Sequence, residues 1–284
     1  MVDPIIQALT WENLRDFLNS NFTAALAGAL AGALTAQHIA DRGKKREETL
    51  LELRSTNAAI MVAFIFCNAG IALKKQLVKD IHDRYKAKLK ELAALKERRA
   101  RGEAVGVFEV QADLRTVQMP IVPIDVLRTQ MYEKVSVTGR PLALAAALIG
   151  SVEALTEILK KRTDLIERFR VLGEDNPHLS AMYLGQPYGP GHVSEEFPDT
   201  VDAMYRLTDD MIFFSELLTS DLMAHGKRVL ESYGKRVKIK DRKVSSVDFT
   251  AARSEGWIPG PAEYTDWTKG FPNTAQQNAP TDRP

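Results

Sequence analysis

From Lys44 to Arg101 the chain contains no proline and a single glycine, Gly70. Within that interval Val78, Ile81, Tyr85, Leu89, Leu92 and Leu95 recur three and four residues apart, the spacing of one face of an α-helix. The pattern predicts one helix of about 55 residues, about 80 Å long at 1.5 Å per residue. Such a helix is a coiled coil or a strut on which shorter helices pack. It constrains the fold class to mainly α.

Upstream of it lies "FTAALAGALAGALTAQHIADRGKKR", Phe22 to Arg46. Ala24, Gly28, Gly32 and Ala36 recur every four residues and form a smooth face that includes a GxxxG. Leu26, Leu30 and Leu34 form another. Phe22 to Ala40 would extend about 28 Å as a helix, close to the ~30 Å of a bilayer core. Its strongly hydrophobic members supply only about −1.5 to −3 kcal/mol, against Thr23, Thr35, Gln37 and His38. Two glycines inside a water-exposed helix would each cost roughly 1 kcal/mol relative to alanine. Close approach by another helix explains their presence.

A cleaved signal peptide fits poorly, because Asp3, Glu12 and Asp16 outnumber Arg15 at the start and the basic residues follow the apolar run. The cluster Arg42, Lys44, Lys45, Arg46 contrasts with one arginine in residues 1–41. The positive-inside rule then predicts a single-pass anchor in the inner (cytoplasmic) membrane, with the body facing the cytoplasm. Trp11 suits the interface, and residues 4–18 have the helix-spaced apolar pattern of a surface-lying segment.

A second apolar run, residues 58–73, is short for a span and basic at both ends (Arg54; Lys74, Lys75). It reads as a buried bundle helix. The alternative is a hairpin with the first run.

Downstream, Gly102 to Pro123 breaks the helix, with "VGVFEV" as a candidate strand. A short helix is expected at 124–134. After Gly139, Ala145, Leu148, Val152, Leu155, Leu159, Arg162, Ile166 and Phe169 step by three and four, an a/d seam with an arginine on it. Residues 173–198, rich in Gly, Pro and aromatics, read as a long loop. A further helix from about Pro198 to Tyr233 presents Met204, Leu207, Met211, Phe214, Leu218, Leu222, His225 and Val229, with acids first and Lys227 and Arg228 last, matching the helix dipole. The expected organisation is 1–41 amphipathic segment and anchor, 42–101 long basic helix, 102–250 helical bundle, and 251–284 a tail that wraps the body through Trp257 and Trp267 or stays disordered.

The net charge of +1 hides segregation. Residues 74–101 hold eleven Lys/Arg against four Asp/Glu, and 227–243 hold eight against two. Residues 194–210 hold six acids against one arginine. Lys74, Lys75, Lys79, Lys86, Lys88 and Lys90, with the arm Lys235, Arg236, Lys238 and Lys240, form a candidate basic patch for nucleic acid or anionic lipid. The plainer reading is a solvated helix face.

Catalytic signatures are absent: no Walker A, GxGxxG, GxSxG, HExxH or CxxC. Cys67 is the one cysteine, so a disulfide framework is excluded. Glu174 with His178 and Asp221 with His225 are carboxylate–histidine pairs, but the set falls short of a di-iron arrangement. No cofactor and no metal are expected.

Three functions stay open. The first is a membrane-anchored, self-associating, non-enzymatic scaffold, sensor or effector with a partner protein, similar in shape to small bacterial membrane-anchored proteins. The second is a nucleic-acid or anionic-lipid binder. The third is an enzyme with its site in loop 173–198.

Overall fold

A computed structural model describes residues 21–173, 176–234 and 243–272. The fold is mainly α. The long helix begins earlier than its proline-free core suggested: α1 spans Asn21–Leu73, a π-helical turn spans Lys74–Val78, and α2 spans Lys79–Ala100. The helix passes residues 41 and 42 without a break, so residues 21–41 and the strut form one rod. Gly102, at φ +77°, ends it. After an irregular segment come α3 (Ile124–Thr129), with a second π turn at Gln130–Lys134, and α4 (Arg140–Leu172). Gly139 at φ +68° and Pro141 set the start of α4, where a missing N–H costs nothing.

Residues 173–198 are not a structureless loop. They contain α5 (Leu179–Tyr183) and an antiparallel hairpin of β1 (Pro187–Gly189) and β2 (His192–Val193). Then α6 spans Glu196–Gly234, and α7 (Thr250–Ser254), a 3₁₀ turn (Pro261–Tyr264) and α8 (Thr265–Gly270) complete the described chain. The expected strand at "VGVFEV" does not form. Phe108 and Val110 do turn toward the bundle, but among the described residues no neighbouring strand pairs with the segment.

The core is where α6 packs against both α1 and α4. Every seam position expected on α4 is buried, Arg162 included. On α6, Met204, Met211, Phe214, Leu218 and Leu222 are buried, while Leu207, His225 and Val229 are half-buried. From α1 come Ala59, Ile60, Ala63, Phe66 and Cys67, all fully buried. Residues 58–73 therefore build the bundle. Gly70 shows how close the helices run: a β-carbon there would lie 2.8 Å from Ile212 Cγ1. That contact explains the one glycine in the proline-free stretch.

The tail between Thr250 and Gly270 lies against the body. The Tyr264 ring stacks on Phe213 at 3.7 Å, and Trp267 meets Phe214 at 5.1 Å. Together they cover an apolar stretch of α6.

Candidate functional site: an exposed helical arm and a paired basic face

Two regions carry the residues singled out by sequence. The first is the N-terminal part of α1. Burial begins only at Thr49, and every described side chain from residue 25 to Glu48 is exposed. The helix thus stands free of the bundle for about 36 Å. Leu30, Leu34 and Ile39 are 58%, 68% and 65% exposed. Gly28 and Gly32 have no neighbouring atom within 4 Å, and Ala36 is exposed beside them. The side chain of Ala24 lies outside the described residues, as do residues 1–20. Arg42, Lys44, Lys45 and Arg46 sit between this arm and the first buried turn.

Two helical stretches are long and apolar enough to cross a membrane, Gly28–Ala100 and Arg140–Leu172, each with mean hydropathy 1.8 over its best 18-residue window. Half of the first window and 44% of the second are buried within the bundle, as in the core helices of a water-soluble protein.

The second region is the basic face of α2 and its approach. Lys74 is not on the surface. It is buried and paired with Asp209, with its ammonium also 5.0 Å from the Tyr205 ring centroid. Lys86 pairs with Asp202 at 2.7 Å, and His82 stacks on Tyr205 at 4.2 Å while reaching Asp202 at 3.7 Å. Lys75 lies 3.8 Å from Glu255 and 5.2 Å from the Trp257 ring centroid. Lys79 pairs with Asp83, and Lys88 with Glu91 at 2.8 Å. Lys90 is exposed. Two acids of the stretch 194–210, Asp202 and Asp209, thus face the stretch 74–101 across the packing of α6 against the rod, which it follows antiparallel. Lys235, Arg236, Lys238 and Lys240 lie outside the described residues.

Lys74 is the first residue of the π turn, and it and Val78, four positions on, are the buried residues of that turn. Burial pushes the Asp209 carboxyl above the usual carboxylate range, against the pull of Lys74. Next to it Asp210 is likewise raised by burial, although it accepts a 2.9 Å hydrogen bond from the Tyr264 hydroxyl.

A cleft of about 860 Å³ separates α2 from residues 111–116, with Arg84, Lys88, Glu91, Arg115 and Tyr183 among its lining. Its charges satisfy one another: Asp80 accepts from Arg84 and Arg115 at 2.8 Å each, and Arg115 also engages Asp113. Behind the cleft Arg162 is 1% exposed. It donates to the backbone carbonyls of Arg115 and Asp113, and its Nε has no partner. This arginine ties the irregular segment to α4. The sequence marked its position on the seam but not this role.

No family model, no curated protein and no solved structure matches the chain.

Glu174 lies outside the described residues, Asp221 is engaged by Arg140, and His225 contacts Glu52 at 2.8 Å. Among the described residues no group of three His, Cys, Asp or Glu side chains converges. In the 173–198 region His178, Tyr188 and His192 neighbour one another at ring separations of 5.7 and 6.1 Å. Cys67 is buried, and its thiol is pushed up to about 12 by burial.

Proposed function

We propose that this chain is a membrane-anchored, self-associating helical protein acting as a non-enzymatic scaffold, sensor or effector. The arm crosses the inner membrane once, and the bundle carries out its role in the cytoplasm through a partner protein. The observation that carries this reading is the free arm. A rod exposing Leu30, Leu34 and Ile39 along its length is costly to leave in water, because about 25 cal/mol is gained for each Å² of apolar surface covered. Nothing in the described bundle covers it.

The order of features along the rod supports the orientation. Apolar arm, basic cluster and folded bundle follow in that sequence, as for a positive-inside anchor. Gly28 and Gly32 are open to close approach by another helix, the arrangement used where packing replaces the hydrophobic drive. The basic patch supports a nucleic-acid or lipid role less well, since five of its six lysines on the rod already face a carboxylate of the same chain.

The test is charge insertion. Leu30→Arg with Leu34→Arg adds roughly 2.5–3.5 kcal/mol per arginine to membrane insertion. Since both positions lie outside the bundle, the variant is expected to fold but to move to the soluble fraction. Retention of the double variant in the membrane would refute the anchor.

A further inference from the structure

We infer that a second copy of this chain packs in parallel and in register against the outer face of α1, along Leu51, Ala58, Met61 and Ile65. The direction of pairing rests on the anchor reading above; the seam itself rests on the exposure pattern. Positions 51, 54, 58, 61, 65, 68 and 72 step by three and four, and all lie on the side of α1 away from the buried Ile60, Ala63, Phe66 and Cys67. On a water-facing surface this stripe should be polar. Instead Leu51, Met61 and Ile65 are 62%, 46% and 43% exposed, Ala58 is half-buried and Ala72 exposed. The outer face of α4, with Glu153, Glu157, Lys160 and Lys161, shows what a solvated face of this bundle looks like.

The spacing is that of an a/d seam, which wants a helix of matching repeat. The choice of a second copy follows from symmetry and direction. Copies of a single-pass anchor enter the membrane the same way, so their rods are parallel and their bundles stand at one depth. A twofold seam then places each residue opposite itself. Asn68, a d position in this register, is self-complementary because its amide both donates and accepts. Arg54, also in d, would meet its own copy, and its long side chain can turn its charge out to water. The seam is also continuous with the arm. At 100° per residue, Ala36 and Ala40 point within about 30° of the mean direction of Leu51, Ala58, Met61 and Ile65. The Gly28–Gly32–Ala36 stripe therefore rotates into the seam. A lipid surface does not fit as the occupant, since the seam runs along the rod from about 16 to about 37 Å beyond Ala40.

Single-cysteine crosslinking of the full chain in native membranes tests this. Wild type is its own negative control, because Cys67 is fully buried. Leu51→Cys, Met61→Cys and Ile65→Cys are expected to give disulfide-linked dimers under mild oxidation. Glu48→Cys, exposed on the same helix but about 100° off the seam, and Glu153→Cys on α4 are expected to give none. Ile65→Glu combined with Met61→Cys should abolish the dimer. Absence of dimers at the three seam positions, or equal dimers at seam and control positions, overturns the inference. Membrane retention, scored on the same samples, decides the anchor separately: a retained protein without seam crosslinks loses only the seam, and a released protein with seam-specific crosslinks loses only the anchor.

Discussion

The buried pair of Lys74 and Asp209 makes the sharpest stability prediction. Their side chains are 6% and 9% exposed, and Asp209 lies 135 residues from Lys74 in sequence. Lys74→Met leaves Asp209 in a site from which water is excluded. Breaking one side of such a pair costs about 3–5 kcal/mol. For a chain of this size about 2–4 °C of melting temperature accompanies each kcal/mol, so the variant should melt roughly 10 °C lower at pH 7.5. Asp209 already sits above the usual carboxylate range because of burial, and without the ammonium it rises further. A carboxyl raised in the folded state stabilises when protonated, and that stability is lost as pH rises through its folded-state pKa. The deficit of Lys74→Met should therefore shrink between pH 7.5 and pH 5. Replacing both groups, as in Lys74→Met with Asp209→Leu, should recover most of the loss, because an apolar pair of similar volume avoids the desolvation penalty. Circular dichroism melts of Lys74→Met, Asp209→Leu, the double variant and wild type at both pH values measure this. A Lys74→Met cost below about 1 kcal/mol, no change with pH, or a double variant as weak as the sum of the singles would refute the reasoning.

Three further outcomes follow from the same packing. Gly70→Ala should destabilise by about 1–3 kcal/mol through overpacking against Ile212, and Ile212→Val in the same chain should return part of that in the same melt. Arg162→Met should cost at least about 2 kcal/mol, because it leaves the Arg115 and Asp113 carbonyls without their donor, and limited proteolysis should show faster cleavage between residues 103 and 123. Asp210→Asn keeps an acceptor for Tyr264 while removing a carboxylate whose pKa burial raises. It should raise the melting temperature at pH 7.5, with the advantage vanishing below about pH 4, where the wild-type carboxyl is protonated in both folded and unfolded chains.

The helices were legible because their apolar spacing is local. The α4 seam could be read off residue by residue, and the burial of 58–73 followed from its length and basic flanks. What was hidden depends on distant partners. A run of lysines looks uniform in sequence, whereas Asp209, 135 residues from Lys74, draws that one lysine into the core, and Asp202, 116 residues from Lys86, pairs with Lys86 at the surface. The π turn at Lys74–Val78 leaves no mark on the spacing, since the residues on either side remain good helix formers. The high Gly and Pro content of residues 173–198 is the composition of a loop. Tyr183, Leu184 and Phe197 nonetheless build a second small core with Phe169 and Tyr85. The alternation in "VGVFEV" was a real signal of an extended segment, but a strand also needs a neighbour to pair with, and none is present among the described residues. The arm of α1 was marked by its composition; its freedom from the bundle was not.

That freedom makes membrane partition the most direct test of the central claim. Membranes from cells producing the full chain are divided: one portion is washed with alkaline carbonate and pelleted, and right-side-out vesicles from the other, not carbonate-treated, are exposed to protease from the outer side. The account predicts that the protein stays in the pellet and that residues beyond Lys44 are protected until the membrane is opened. Complete release into the supernatant, or digestion of the bundle in intact vesicles, would contradict it.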